Sequence, residues 1–304
     1  MRSIRIATDK QVSAKERVNE FLLLQQQKGV SVGTLKQHTW ALRALYNGKN
    51  GIPTEEDLRR CLPPTMGSGY YNKRLNTYRQ FFAMLLSLGE IQNDPTQKFV
   101  YKKKKYRIKN YKEEDVRNFI NVLDKKTFAG FRNYVMCLLI LDTGVRPSEL
   151  CGIRKDDFNY NTKQIVLRSE ITKTRTMRVV PVSTLVANLI IKLYNYELKE
   201  WDNKFMFCSS DGKQLSSTAL RGELHKNALK TGISITPYDL RHIFATTYIR
   251  NGGDVFTLQR IMGHAKTNTT MVYVNLNPSD LSVAHDKVNV ISNFTSHRIT
   301  RLDK

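Results

Sequence analysis

The stretch "YKKKKYRIKNY" at residues 101–111 constrains the fold more than any other. It is dense in Lys and Arg and offers almost nothing that a core could take in. A buried ammonium or guanidinium group needs a charged or hydrogen-bonding partner, so a chain does not run such a segment through its interior. The protein must therefore fold as separate units on either side, and 304 residues suit two domains. The expected division is a domain over 1–100, a basic linker over 101–111 and a second domain over 112–304.

The two parts have different periodicities. Val18, Phe21, Leu22 and Leu24 fall at helical spacing within residues 13–28, and Leu35, Trp40, Leu42 and Leu45 within 33–46. Pro63-Pro64 breaks the pattern. A third helix is expected over about 69–88, closed by Gly89. No strand pattern occurs before residue 100, so the first domain should be helical. In the second part, "FRNYVMCLLILDTG" reads as an apolar helix ending at Gly144, and "PSELCGI" opens another with Pro147 early in it. Residues 163–182 hold two β-rich stretches around a polar turn, the pattern of a hairpin. Helices are expected over roughly 183–198, 216–230, 238–251 and 255–263. The fold class is thus mostly α, with a small β-hairpin or sheet in the C-terminal domain.

The formal net charge is +22. A surplus of that size points to a polyanionic partner, nucleic acid before others, with the Lys and Arg of the linker laid along phosphates. Cys61, Cys137, Cys151 and Cys208 are widely spaced with no Cys-x-x-Cys, which fits a reduced, cytoplasmic setting better than a disulfide framework or a zinc site. No uncharged apolar run reaches the length of a membrane span, and "MRSIRIATDK" lacks the apolar core of a secretory signal. No His/Asp/Glu cluster has metal-ligand spacing, so neither metal nor other cofactor is expected.

Three stretches place polar groups at helix boundaries. In "TGVRPSEL" (143–150), Arg146 follows the glycine that ends an apolar helix, and its planar fork suits a phosphate; Glu149 is a carboxylate within reach. In "TPYDLRHIFATTYI" (236–249), Arg241 shares a face with Tyr238, Ala245 and Tyr248, and so needs an anion close to an apolar surface. In "RIMGHAK" (260–266), His264 follows Gly263 directly. Tyr273 comes nine residues later in "TTMVYV", where alternating residues would also suit a strand with the tyrosine packed inside.

Taken in order, "TGVRPSEL", "ITKTRTMRVVP", "YDLRH", "MGH" and "HAKTNTTMVY" resemble the motif series of the tyrosine recombinases, also called phage integrases. The resemblance covers roughly residues 13–290. It implies a two-domain, C-shaped clamp around duplex DNA, with a helical core-binding domain and a catalytic domain. It casts Arg146 and Arg241 as phosphate-clamping arginines, Lys173 as the hairpin lysine, His264 as a further phosphate ligand and Tyr273 as the nucleophile. Glu149 and His242 fall at supporting positions. Where the family's first histidine of H-x-L-R-H stands, this chain has Tyr238, a phenol that can donate a hydrogen bond but is a poor base near neutral pH.

The residue types suit the chemistry implied. A phosphodiester cut without ATP can be resealed if its bond energy is kept in a covalent link. A phenolate leaves far more readily than a serine alkoxide, so tyrosine suits a reversible step. Guanidinium groups stabilise charge gathering on the phosphate, and a lysine can protonate the leaving 5′-oxygen, which an arginine cannot. The function implied is site-specific cleavage and rejoining of DNA through a 3′-phosphotyrosyl intermediate and a Holliday junction. A type IB topoisomerase-like relaxase and a catalytically lapsed DNA-binding protein are the alternatives. Expected partners are double-stranded DNA with inverted half-sites, further copies of the chain (monomer or dimer when free, tetramer on DNA) and accessory DNA-bending proteins, with no membrane. Lys102, Lys103, Lys104, Lys105, Arg107, Lys109 and Arg175 are the expected DNA-backbone contacts. Residues 278–290 carry an amphipathic stretch that could dock on a neighbouring protomer or on their own domain.

Overall fold

The computed structural model describes residues 13–103, 109, 111–200 and 203–274. The chain divides into two compact units, Met1–Arg107 and Ile108–Lys304. The expected docking segment at 278–290 lies outside the described residues.

The first unit contains α1 (Ala14–Gln27), α2 (Val32–Tyr46), α3 (Glu55–Cys61) and α4 (Ser68–Ser87). Ser13 and Ser31 cap the first two helices by accepting from Glu16 and Thr34 backbone N–H groups. Phe21, Leu42, Leu45, Leu58, Leu75, Tyr78, Phe81 and Leu85 fill its core. The spacing in α2 counted Trp40 among the inward positions, yet Trp40 is 62% exposed. The inward place belongs to His38, buried and bonded through Nδ1 to Thr77 Oγ1 at 2.9 Å. A short α3 was not expected; at seven residues it is too brief for periodicity to show, although Thr54 and Asp57 form a capping box.

The ends of the basic stretch are better anchored than its composition suggests. The Lys102 backbone exchanges two 2.8 Å hydrogen bonds with Asn72, its Nζ donates to the Pro64 and Met66 carbonyls, and Arg79 lies over the Tyr101 ring. At the other end Tyr111 Oη donates to Ser234 O at 2.7 Å. The tyrosines interleaved with the cations give each end something to pack.

The second unit follows as α5 (Glu113–Asn121), α6 (Phe128–Thr143), α7 (Pro147–Leu150), β1 (Phe158–Asn159), β2 (Gln164–Leu167), β3 (Arg178–Pro181), α8 (Thr184–Glu200), α9 (Ser217–Thr231), α10 (Pro237–Arg250), α11 (Val255–Met262) and α12 (Asn268–Val274). The expected hairpin is present, and β1 adds a third antiparallel strand in the order β1-β2-β3. Ile165 pairs with Val180 and Leu167 with Arg178, which puts Arg178 on the inward face beside buried Val180. Helix α6 is buried along Val135, Met136, Leu139 and Ile140, and α10 packs against it. The contact is tight at Gly144, whose φ of +61° closes α6: a Cβ there would stand 2.3 Å from the Phe244 ring. Residues 268–274 are helical rather than strand-like, because tertiary contacts of Thr270 and Tyr273 outweigh their β-branched neighbours.

Candidate active site

The last turn of an α-helix leaves carbonyls without an intrahelical partner at the negative end of its dipole. At the end of α11, three successive carbonyls each take a different arginine. Ile261 O accepts from Arg178 Nε at 2.9 Å, Met262 O from Arg241 Nη2 at 2.9 Å and Gly263 O from Arg146 Nη2 at 2.8 Å. Gly263 makes this row possible. Its φ is +63°, and a Cβ would fall 2.8 Å from the Arg178 guanidinium.

Glu149 sits below the row with no exposed surface. It accepts from Arg146 N at 3.1 Å and Arg146 Nη1 at 2.8 Å, and from Arg178 Nη1 at 3.2 Å and Nη2 at 2.6 Å. Burial alone would raise its pKa; the hydrogen bond and charge of Arg178, then Arg146, more than reverse this and hold the carboxyl below the usual range. The carboxylate therefore fixes two guanidinium groups at once.

Arg241 is 5% exposed and donates to Gly144 O as well as Met262 O. Carbonyls at two helix C-termini, of α6 and α11, thus accept its N–H groups while its charge remains. Its Nη2 also meets His264 Nε2 at 2.9 Å, while His264 Nδ1 meets Thr270 Oγ1 at 2.8 Å. A guanidinium can only donate, so Nε2 accepts and the ring proton lies on Nδ1, donated to Thr270. Burial, then the charges of Arg241, Arg146 and Arg178, push the His264 pKa down to about 4, so the ring is neutral at physiological pH.

Tyr273, 5% exposed, packs with Phe244, Ala245, Leu258 and Met262. Its hydroxyl lies 2.7 Å from His242 Nδ1. Burial raises the phenol pKa, and the nearby charge of Arg241 opposes the rise.

Six of the residues singled out by sequence thus come together in two linked groups: Arg146, Glu149, Arg241 and His264 around the end of α11, and His242 with Tyr273 beside them. Two others make no hydrogen bond or ion pair with these groups. Tyr238 is 55% exposed on the first turn of α10, and Lys173 is exposed in the turn between β2 and β3. Among the expected backbone contacts, Lys102 is held on the Pro64 and Met66 carbonyls, Lys103 is exposed, and Lys109 Nζ lies 3.7 Å from Asp239. Arg175 is exposed in the hairpin turn with a φ of +53°. Lys104, Lys105 and Arg107 lie outside the described residues. The sequence reading gave no site role to Arg178 or Thr270. Strand parity with Val180 was available as a signal for Arg178; for Thr270 there was none.

Residues 109–280, more than half of the chain, match the phage integrase family. The chain belongs to that family. Similarity to a relative runs beyond the matched domain: this phage integrase is 28% identical over 284 residues to tyrosine recombinase XerA of Pyrococcus furiosus, covering 92% of this chain and 96% of the relative. Two solved structures share the fold. One is the Tn1549 transposon integrase in complex with transposon right end DNA, with a TM-score of 0.71 at 16% identity, over 92% of this chain and 100% of that one. The other is a lambda integrase tetramer bound to a Holliday junction, with a TM-score of 0.70 at 16% identity, over 86% of this chain and 80% of that one.

Proposed function

We propose that this integrase is a site-specific DNA recombinase that cuts and rejoins strands through a 3′-phosphotyrosyl link to Tyr273. One observation carries the reading: the Tyr273 hydroxyl belongs to the same buried neighbourhood as Arg241, His264 and Arg146, for which Glu149 is the one ion partner among the described residues. One carboxylate faces three arginines there. The surplus positive charge suits a phosphate, whose non-bridging oxygens Arg146 and Arg241 would hold while Tyr273 Oη attacks phosphorus. Lys173, exposed on the hairpin turn, protonates the 5′-oxygen as it leaves. Membership in the family and the relatives' names support this reading over the alternatives of a relaxase or a lapsed DNA-binding protein.

The two units are assigned as a core-binding domain and a catalytic domain that close on duplex DNA. In the first unit, Gln37, Trp40, Tyr70, Lys73 and Arg74 line a shallow cleft between α2 and α4; Trp40 and Tyr70 are 62% and 58% exposed, and the Arg74 guanidinium lies 5.0 Å over the Tyr70 ring. Aromatic faces ringed by cations fit a nucleic-acid surface, and we assign this cleft to the DNA side. The lambda integrase tetramer supports a four-protomer assembly on paired half-sites, with the chain acting in the cytoplasm on chromosomal or mobile DNA. The test is a plasmid carrying two copies of the inverted half-sites flanking the gene. Strand exchange that joins the copies is expected; relaxation of supercoils on plasmids lacking such sites would favour the relaxase.

A further inference from the structure

Nucleophilic attack by a phenol requires an acceptor for its proton, and the residue that would supply a histidine there in the family pattern is Tyr238 in this chain. We propose that His242, one helical turn further along α10, is that acceptor: it takes the phenol proton from Tyr273 on cleavage and returns it on resealing. The inference rests on the reading of Tyr273 as nucleophile.

Geometry carries it. His242 Nδ1 lies 2.7 Å from Tyr273 Oη, with ring centroids 5.7 Å apart and the planes inclined at 48°. A buried phenol places its proton on an acceptor, and among the described residues Nδ1 is the one in contact. With Nδ1 accepting, the neutral ring carries its own proton on Nε2. His242 is solvent-exposed as a residue, so its imidazolium can be held beside water until resealing. The side facing Tyr273 is crowded, which lowers the imidazole pKa; Asp239 opposes and Arg241 adds to this, and the ring is the neutral base at physiological pH. The charged and titratable groups around it are Asp239 and Arg241 on α10, Tyr273 on α12 and His264 between α11 and α12, with Lys109 beyond Asp239.

The other candidates are engaged. Both His264 nitrogens are bonded, to Arg241 and Thr270. Both Glu149 oxygens face guanidinium groups. Asp239 Oδ2 accepts from Thr236 in the cap of α10. Tyr238 is itself a phenol. The step balances: the Tyr273 Oη–P bond forms, the P–O5′ bond breaks, the phenol proton moves to Nδ1 and the 5′-oxygen takes a proton from a separate acid. Resealing is the reverse, with the imidazolium protonating the departing phenolate.

The test is single-turnover formation of the covalent adduct on a nicked suicide duplex of the protein's own site. His242→Asn sets an amide near the Nδ1 position, keeping a hydrogen bond to Tyr273 while removing the base. General-base catalysis contributes about 10²–10⁴-fold. A drop of about 100-fold or more is expected, with unchanged duplex affinity and with loss of the acid limb of the pH–rate profile. Added imidazole should restore part of the rate to His242→Ala. A duplex with a 5′-bridging sulfur, whose thiolate leaves without a proton, should rescue Lys173→Ala but not His242→Asn. Adduct formation by His242→Asn within threefold of the unmutated chain, with its acid limb intact, would overturn the proposal while leaving the assignment of Tyr273 standing. Absence of an adduct with the unmutated chain would instead defeat the reading of Tyr273.

Discussion

Replacing Glu149 by Gln tests whether the arginine row depends on one buried carboxylate. The change preserves shape and removes charge. In the structure the carboxylate accepts four N–H groups, two from Arg146 and two from Arg178, with no exposure to water. An amide offers one oxygen to the four donors and turns its NH2 toward the rest. At least two charge-assisted bonds are lost, each worth about 1.5–3 kcal/mol, and two guanidinium groups keep their burial without a counter-charge. Breaking a buried ion pair by removing one partner costs about 3–5 kcal/mol. The expected loss is therefore about 3–5 kcal/mol for the second unit, or roughly 10 °C in its melting temperature. Calorimetry of the full chain reads it. The sign with pH follows from the depressed Glu149 pKa: the stabilisation is fully present above the unfolded value of 4.5 and fades as pH falls through the lower folded value. The unmutated chain should thus lose its advantage over Glu149→Gln only below about pH 4.5. A loss under about 1 kcal/mol at pH 7, the worth of an exposed pair, would refute the reasoning.

Other perturbations probe neighbouring links. Gly263→Ala forces a Cβ against Arg178 at a left-handed φ and should lower stability by about 1–3 kcal/mol, with a larger fall in DNA cleavage because the carbonyl row moves; urea melts and a cleavage assay compare the two. Arg74→Ala should weaken duplex binding uniformly across sequences and reduce the slope of log K against log salt by about 1, whereas an unchanged slope would remove this cleft from the DNA side. Tyr238→His should retain cleavage, since Tyr238 is exposed and makes no hydrogen bond to the Tyr273 hydroxyl; complete loss, measured on the same substrate, would give Tyr238 a role of its own.

Much of the site was legible because its parts lie at helix ends, where sequence punctuation is strong. Gly144 and Gly263 mark the two C-termini, with Arg146 and His264 close behind them, and Arg241 follows the capping Thr236 of α10. What sequence spacing did not reveal is how charge is shared. Glu149 serves Arg178 as well as Arg146, and that contact joins residues far apart in the chain. The inward placement of Arg178 follows from strand register, which a hairpin pattern alone leaves unspecified. The helix holding Tyr273 was hidden by β-branched neighbours whose local preference is overridden by packing on α10 and α11. In the first unit, helical spacing put Trp40 inside; the structure gives its place to His38, because Thr77 on α4 supplies a partner for the ring. Spacing identifies a face, and the hydrogen-bond partner across it decides which polar residue can enter.

The central claim is that Tyr273 becomes covalently joined to a DNA 3′-phosphate. The direct measurement is mass spectrometry of the proteolysed adduct formed on a nicked duplex of the protein's own site. The account predicts a nucleotide on the peptide containing Tyr273, attached through its 3′-phosphate with a free 5′-hydroxyl on the released strand, and no adduct with Tyr273→Phe. A nucleotide on another residue, or an adduct that persists in Tyr273→Phe, would contradict it.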